Sequence, residues 1–229
     1  MTSQFTELFS PYFRRLDFMM SPLEELSRKL KFRLSLPLPG VEAQLKMAHL
    51  ERRLNLSHFK IPDYARMGAV LILLFEEEGA VKTCFIERTQ YDGVHSGQIA
   101  FPGGKKEPDE TLEETVLREA EEEIGVNPAD VQLLGQLTEL YIPPSNFLVH
   151  PFVGSIPYRP AFFPSAAEVA EVVEITIDEL ADVRMRGEKE ITLSNGSTVQ
   201  TPYFGLKGKT VWGATAMIIS EFLEVVGAL

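Results

Sequence analysis

Glu119, Glu122 and Glu123 stand at i, i+3 and i+4 within the stretch Gly103–Val126, GGKKEPDETLEETVLREAEEEIGV. On a helix, at about 100° per residue, these carboxylates fall within one third of the circumference. Leu112, Val116, Ala120 and Ile124 run down an adjoining stripe that can pack on a core. Like charges at such spacings repel, so stability alone does not favour the trio. A hard divalent cation removes the conflict, because Mg²⁺ and Mn²⁺ prefer carboxylate oxygen and water. A solvated acidic face is the plain alternative. Just upstream, Phe101-Pro102-Gly103-Gly104 would end a short strand, and paired glycines let backbone groups approach a phosphate or metal closely. Thr111–Glu114 reads as a capping box and Gly125 as the left-handed residue that stops the helix. Glu110 and Arg118 are expected away from the three carboxylates as braces, with Arg118 four residues after Glu114 for an ion pair.

Such a helix needs a sheet beneath it. Gly68–Phe75 is a near-continuous apolar run, as expected for a central strand buried on both faces. Glu76–Ala80 reads as a turn and Val81–Arg88 as the returning arm of a hairpin. After a loop at 89–96, residues 97–101 lead into the glycine pair. Val131–Leu140 and Phe147–Ile156 read as strands joined by Tyr141–Asn146. Val172–Thr176 is a further strand, followed by a short helix at Ile177–Ala181. Asn195-Gly196 between Ile191–Ser194 and Ser197–Gln200 signals a tight hairpin, and Gly213–Val226 an amphipathic closing helix. Upstream, Met19–Phe32 reads as a helix started by Ser21-Pro22, Leu34–Gly40 is broken by prolines, and Val41–Leu54 reads as a second helix. Strands interleaved with helices imply an α/β chain with a mixed sheet covered on two faces.

Composition narrows the function. Among 229 residues, 45% are hydrophobic and 24% charged, as in ordinary globular proteins. Net charge is −11, but residues 1–60 carry ten Lys/Arg against six Asp/Glu, so the acid lies downstream. No basic patch with interleaved aromatics suggests a nucleic-acid surface. One cysteine, Cys84, excludes an internal disulfide and a multi-cysteine zinc site, and its apolar strand makes it a buried thiol. The longest apolar run, Ala69–Phe75, is too short to cross a bilayer, and with no visible signal peptide a cytoplasmic location is expected. The chain could make one large domain or a domain plus an extension; the expectation is an N-terminal extension, 1–60, packing on a domain spanning 61–229, and the extension could also pack on a partner subunit in a homodimer. Its Lys46, Arg52 and Arg53 could meet an anionic substrate or simply face solvent.

Gly104, Glu110, Arg118-Glu119, Ala120, Glu122-Glu123, Gly125 and Val126 stand at the spacing G-x5-E-x7-R-E-U-x-E-E-x-G-U, where U is apolar. This resembles the signature of the Nudix hydrolases, with Ala120 a small member of the U class. The resemblance implies the Nudix α/β/α sandwich, here with an N-terminal helical extension, and hydrolysis of diphosphates linked to another group. It also implies Mg²⁺ or Mn²⁺ held by Glu119, Glu122, Glu123 and the Gly104 carbonyl. Segments 36–47, 68–75, 95–105, 147–154, 167–175 and 211–218 are further similar to the coenzyme A pyrophosphatase branch, whose members cleave coenzyme A or its thioesters to 3′,5′-ADP and 4′-phosphopantetheine. That branch has the upstream motif L-L-T-x-R-[SA]-x3-R-x3-G-x3-F-P-G-G. Arg88, Gly97 and Phe101–Gly104 match it, but Gly93, beside Asp92, stands where the second arginine belongs. Glycine supplies no grip on a phosphate, so the 3′-phosphate or diphosphate would need another cation.

The resulting site has Glu119, Glu122, Glu123 and Arg118 in catalysis, and Arg88, His95, Gln98, Phe101 and Gly103 toward a small nucleotide diphosphate. Glu122 or Glu123 could accept the proton of the attacking water, as could Glu168 or Glu171 from the loop before a strand. Trp212 and Phe204 are expected to fill the core. Two alternatives remain: hydrolysis of another nucleotide diphosphate, such as ADP-ribose, NADH or a dinucleoside polyphosphate, and a nucleotide-binding regulator without turnover.

Overall fold

Strand β1 (Arg66–Glu77) organises the molecule because its side chains are apolar on both faces. In the computed structural model, which describes residues 20–55, 61–89, 97–193, 196–227 and 229, Ala69, Leu71, Leu73 and Phe75 enter one core and Ile72 and Leu74 the other. Successive side chains in a strand point to opposite faces, so one run feeds two layers. β2 (Ala80–Arg88) returns antiparallel through a turn tighter than expected: Glu77 pairs with Ala80, and Glu78 and Gly79 take φ of 53° and 77°. Two central residues with positive φ match the twist of a two-residue hairpin.

The remaining strands build outward from this pair. β3 (Ile99–Ala100) borders β2, and β4 (Gly103–Lys105) pairs antiparallel with the start of β1, setting Gly68 opposite Lys105 and Ala69 opposite Gly104. β5 (Gln132–Gln136) and β6 (Leu140–Ile142) both pair with β7 (Phe147–Ser155), which runs parallel to β1. β8 (Val169–Thr176) lies along β2. One parallel pairing among antiparallel ones makes the sheet mixed. The strand expected over Val131–Leu140 is in fact two. Its ladder shifts register between Leu133 and Gly135, then Leu137 turns into the core and the Thr138 hydroxyl donates to buried Glu221. A second sheet of β9 (Arg186–Thr192), β10 (Thr198–Leu206) and β11 (Lys209–Trp212) extends the expected hairpin by one strand. Phe204 is fully buried, as expected; Trp212 is half-buried.

Helices cover both faces of the large sheet. α1 (Pro22–Arg33) begins at Ser21, whose side chain and Glu24 form a complete capping box. Leu23 and Leu30 of α1 share a core with Met217, Phe222 and Val225 of α6 (Gly213–Gly227). The single helix expected over Val41–Leu54 is instead α2 (Gly40–Leu45) and α3 (Leu50–Leu54). Between them the N–H groups of Lys46, Met47 and Ala48 bond three residues back, a tightening that carries Met47 and Ala48 into the core. α2 is clasped to α6 by fully buried Glu221, which accepts from Gly40 N–H at 3.1 Å, Gln44 Nε2 at 2.9 Å and Thr138 Oγ1 at 2.6 Å. The opposite face carries α4 (Leu112–Ile124), whose Val116, Ala120 and Ile124 pack on β1 and on Cys84 and Ile86 of β2. A short α5 (Ile177–Ala181) follows β8. This is the α/β/α sandwich expected, with helices N-terminal to it. Among the described residues no helix is long and apolar enough to cross a membrane.

Candidate active site

α4 is fixed in position before its carboxylates come into play. Thr111 and Glu114 cap each other reciprocally at its start, and Gly125, at φ 72°, closes it. Glu114 is therefore engaged by the Thr111 N–H at 2.7 Å and does not make the ion pair expected with Arg118. Arg118 turns the other way. Its guanidinium grips Glu110 through Nε at 3.1 Å and Nη2 at 3.0 Å, and donates to the Lys105 carbonyl at 3.1 Å. Nη1 lies 2.9 Å from Glu119 and 3.2 Å from Glu122. Arg118 is thus not apart from the carboxylates, as the spacing suggested; it ties two of them to the loop before the helix. A fork of five N–H donors suits this multiple role. The bonded guanidinium holds the Glu110 carboxyl at about 2, well below the usual range.

Glu119 and Glu123 aim at the glycine pair. A Cβ on Gly104 would stand 2.5 Å from the Glu119 carboxyl, so only glycine leaves room for that side chain against β4. Glu123 is 1% exposed and accepts from the Gly103 N–H at 2.7 Å. Gly103 has φ 148°, and a Cβ there would meet the Ala69 carbonyl at 2.2 Å. The two glycines are required on opposite grounds: Gly104 for a side chain, Gly103 for backbone. Burial raises the Glu123 carboxyl to about 7, partly offset by the Gly103 N–H and by Arg88, whose Nη1 lies 3.5 Å away. Burial also raises Glu119, against the pull of Arg118. Glu122 differs, with its side chain 57% exposed toward Arg118. Among the described residues no three His, Cys, Asp or Glu side chains converge as a ready metal-binding group.

Glu168 and Glu171 separate clearly. The charge of Glu168 raises both Glu119 and Glu123, which puts it in the field of the site. Glu171 is held by Lys209 at 2.8 Å, and Lys209 also binds Glu87 at 2.6 Å. Glu87 shares its face of β2 with Phe85 and so points away from α4. Arg88 reaches the site from β2, and its Nε is buried without a hydrogen-bond partner. The Gln98 carbonyl accepts from the Arg88 N–H at 3.0 Å. Phe101 is 2% exposed and packs on Phe85, with centroids 4.6 Å apart, so it supports the loop from within the core. His95, and Gly93 with its neighbour Asp92, lie outside the described residues.

A model of the NUDIX domain matches residues 65–193, more than half of the chain. The chain belongs to the Nudix family. The Nudix hydrolase NudL of Yersinia enterocolitica, itself uncharacterized, is 38% identical over 141 residues, 61% of this chain and 71% of that protein. NudL of Yersinia pestis is 30% identical over 184 residues, 80% of this chain and 90% of that protein. The crystal structure of RenU, a Nudix hydrolase from M. smegmatis, matches the fold with a TM-score of 0.52 at 17% identity, covering 72% of this chain and 88% of RenU. This Nudix protein is a pyrophosphohydrolase, and its family generally uses divalent ions such as Mg²⁺ or Mn²⁺. The chemistry of the donors suits such an ion: a half-buried Glu119 and a buried Glu123 carboxylate at the glycine pair of β4, with Glu123 desolvated and only partly compensated. Glu122, exposed beside Arg118, would have to swing toward the glycine pair to join them.

Proposed function

We propose that the chain cleaves the diphosphate of coenzyme A or an acyl-CoA, giving 3′,5′-ADP and (acyl-)4′-phosphopantetheine, with Mg²⁺ or Mn²⁺ held by Glu119, Glu122, Glu123 and the Gly104 carbonyl. The observation that carries the reading is the convergence of Glu119 and Glu123 on the Gly103–Gly104 pair of β4 beside Arg88. The bound ion would offset diphosphate charge and lower the pKa of the attacking water. Arg88, whose part-exposed guanidinium lies beside Glu123, would hold a diphosphate oxygen, and Arg118 would keep the helix carboxylates registered on the loop. Water attacks one phosphorus, the bond to the bridging oxygen breaks, and a site carboxylate takes the water's proton. For that last role Glu168, whose charge acts on Glu119 and Glu123, is preferred to Glu171, which Lys209 holds on the other face.

Coenzyme A is favoured by the similarity of six segments, among them HSGQIAFPGGK and FLVHPFVG. Gly93 in place of an arginine is the one feature favouring a different nucleotide diphosphate. Purified protein with Mg²⁺ or Mn²⁺ should therefore be assayed on coenzyme A, ADP-ribose, NADH and diadenosine polyphosphates. Turnover of coenzyme A is expected; strong turnover of another substrate with none of coenzyme A would sink the assignment.

A further inference from the structure

Arg66, Gly68, Lys105 and Phe147 are brought together by strand register. Gly68 of β1 faces Lys105 of β4, and Arg66 lies level with Phe147 of β7. Residues two apart on a strand share a face, so all four lie on the face opposite α4, where Ala69 points the other way. Gly68 lets its neighbours close in: one point, where its Cβ would be, lies 2.6 Å from the Gly104 carbonyl oxygen and 3.3 Å from the Phe147 ring. The half-buried ring thus abuts the glycine pair of β4. The Arg66 guanidinium lies over that ring, 4.3 Å from its centroid, and Nη2 donates to the Ser145 carbonyl. Arg66 is exposed but held at two points, so little side-chain freedom remains to be lost on binding an anion. Lys105, also exposed, follows Gly104 directly. Among the described residues neither cation has a carboxylate partner, whereas Arg88, Arg118 and Lys209 all do.

We propose that Arg66 and Lys105 form a subsite for a phosphate monoester on the nucleoside half of the substrate, with Phe147 as the aromatic floor that positions Arg66. The inference rests on the coenzyme A reading, since that substrate carries a 3′-phosphate besides its diphosphate. It places across β4 the positive charge that Gly93 does not provide. Calorimetric titration of the whole protein with adenosine 3′,5′-bisphosphate and with 5′-AMP tests it without turnover. The bisphosphate should bind about tenfold more tightly than AMP. Arg66→Ala should remove about tenfold or more of that affinity and leave AMP within about twofold, the signature of a lost charge-assisted hydrogen bond. Arg66→Lys should recover part of it, and Lys105→Ala should show a smaller loss of the same kind. A wild type without preference, or an Arg66→Ala protein that retains it, overturns the subsite. If Arg66→Ala melts early, Arg66→Lys and Lys105→Ala carry the same comparison. A preference kept by a protein that does not hydrolyse coenzyme A would sink the substrate assignment and leave the subsite standing.

Discussion

Replacing each member of the glycine pair by alanine should give two different failures. At Gly104 the new Cβ would stand 2.5 Å from the Glu119 carboxyl, the far end of a flexible side chain, and the backbone there does not have the positive φ that excludes alanine. An ordinary contact begins at 3.4 Å, so the carboxylate must move by about 1 Å while the strand stays in place. A shift of that size in a positioning group costs on the order of 10²-fold in rate. Gly104→Ala should therefore melt within a few degrees of wild type while losing about 10²-fold in kcat/KM. At Gly103 the Cβ would meet the Ala69 carbonyl at 2.2 Å and the Val70 Cα at 2.6 Å, with φ at 148°. No side chain can yield there, so β4 must part from β1, and Gly103→Ala should destabilise by about 2–4 kcal/mol. Thermal melts and steady-state kinetics on the two variants, side by side, read the difference. A Gly104→Ala protein with near-normal kcat/KM would refute the view that the Glu119 position over this glycine matters to the reaction.

Glu122→Gln should lower kcat by orders of magnitude yet fold normally, because this side chain is 57% exposed; normal turnover would mean that the metal site is wrongly placed. Between the two downstream carboxylates, Glu168→Gln should slow the reaction about 10²-fold and Glu171→Gln by less than about threefold, and the reverse order would reassign the proton acceptor. Glu110 has a depressed folded pKa, so its contribution to stability is complete above the ordinary carboxylate range and is lost as pH falls from about 5 toward 2. Urea midpoints across that window should flatten in Glu110→Gln; an unchanged slope would show that Arg118 does not hold it. Glu221→Ala strips an acceptor from Gly40, Gln44 and Thr138 in a fully buried setting, and denaturant titration should show a loss of about 3 kcal/mol or more, with a loss below about 1 kcal/mol counting against the clasp between α2 and α6.

Local physics made much of this molecule legible in the chain. Ser21 with Glu24 and Thr111 with Glu114 satisfy orphan N–H groups using residues three apart, so both helix starts follow from sequence. β1 declares itself by a continuous apolar run, α4 by its helical period, and the box around Glu119–Glu123 by spacing. Long-range packing decided the rest. Val41–Leu54 divides because Met47 and Ala48 are drawn into a core that they reach only by tightening the chain. Val131–Leu140 divides because Thr138 bonds Glu221, a partner 83 residues away.

The site divides along the same line. Sequence alone determined which acidic residues share a helix and that two glycines precede them, because both are matters of neighbouring positions. It could not tell that Glu122 turns outward to Arg118 while Glu123 is buried, since 100° of rotation acquires meaning only once β4 lies on one side of the helix. Nor could it choose between Glu168 and Glu171: they are three residues apart, and only the folded chain brings Lys209 to one and leaves the charge of the other acting on Glu119 and Glu123. Arg66 and Phe147 are 81 positions apart, and the parallel register of β1 and β7 is what lays one over the other. Contacts within a turn or two are written in the order of residues; contacts between strands exist only after the chain has folded back on itself.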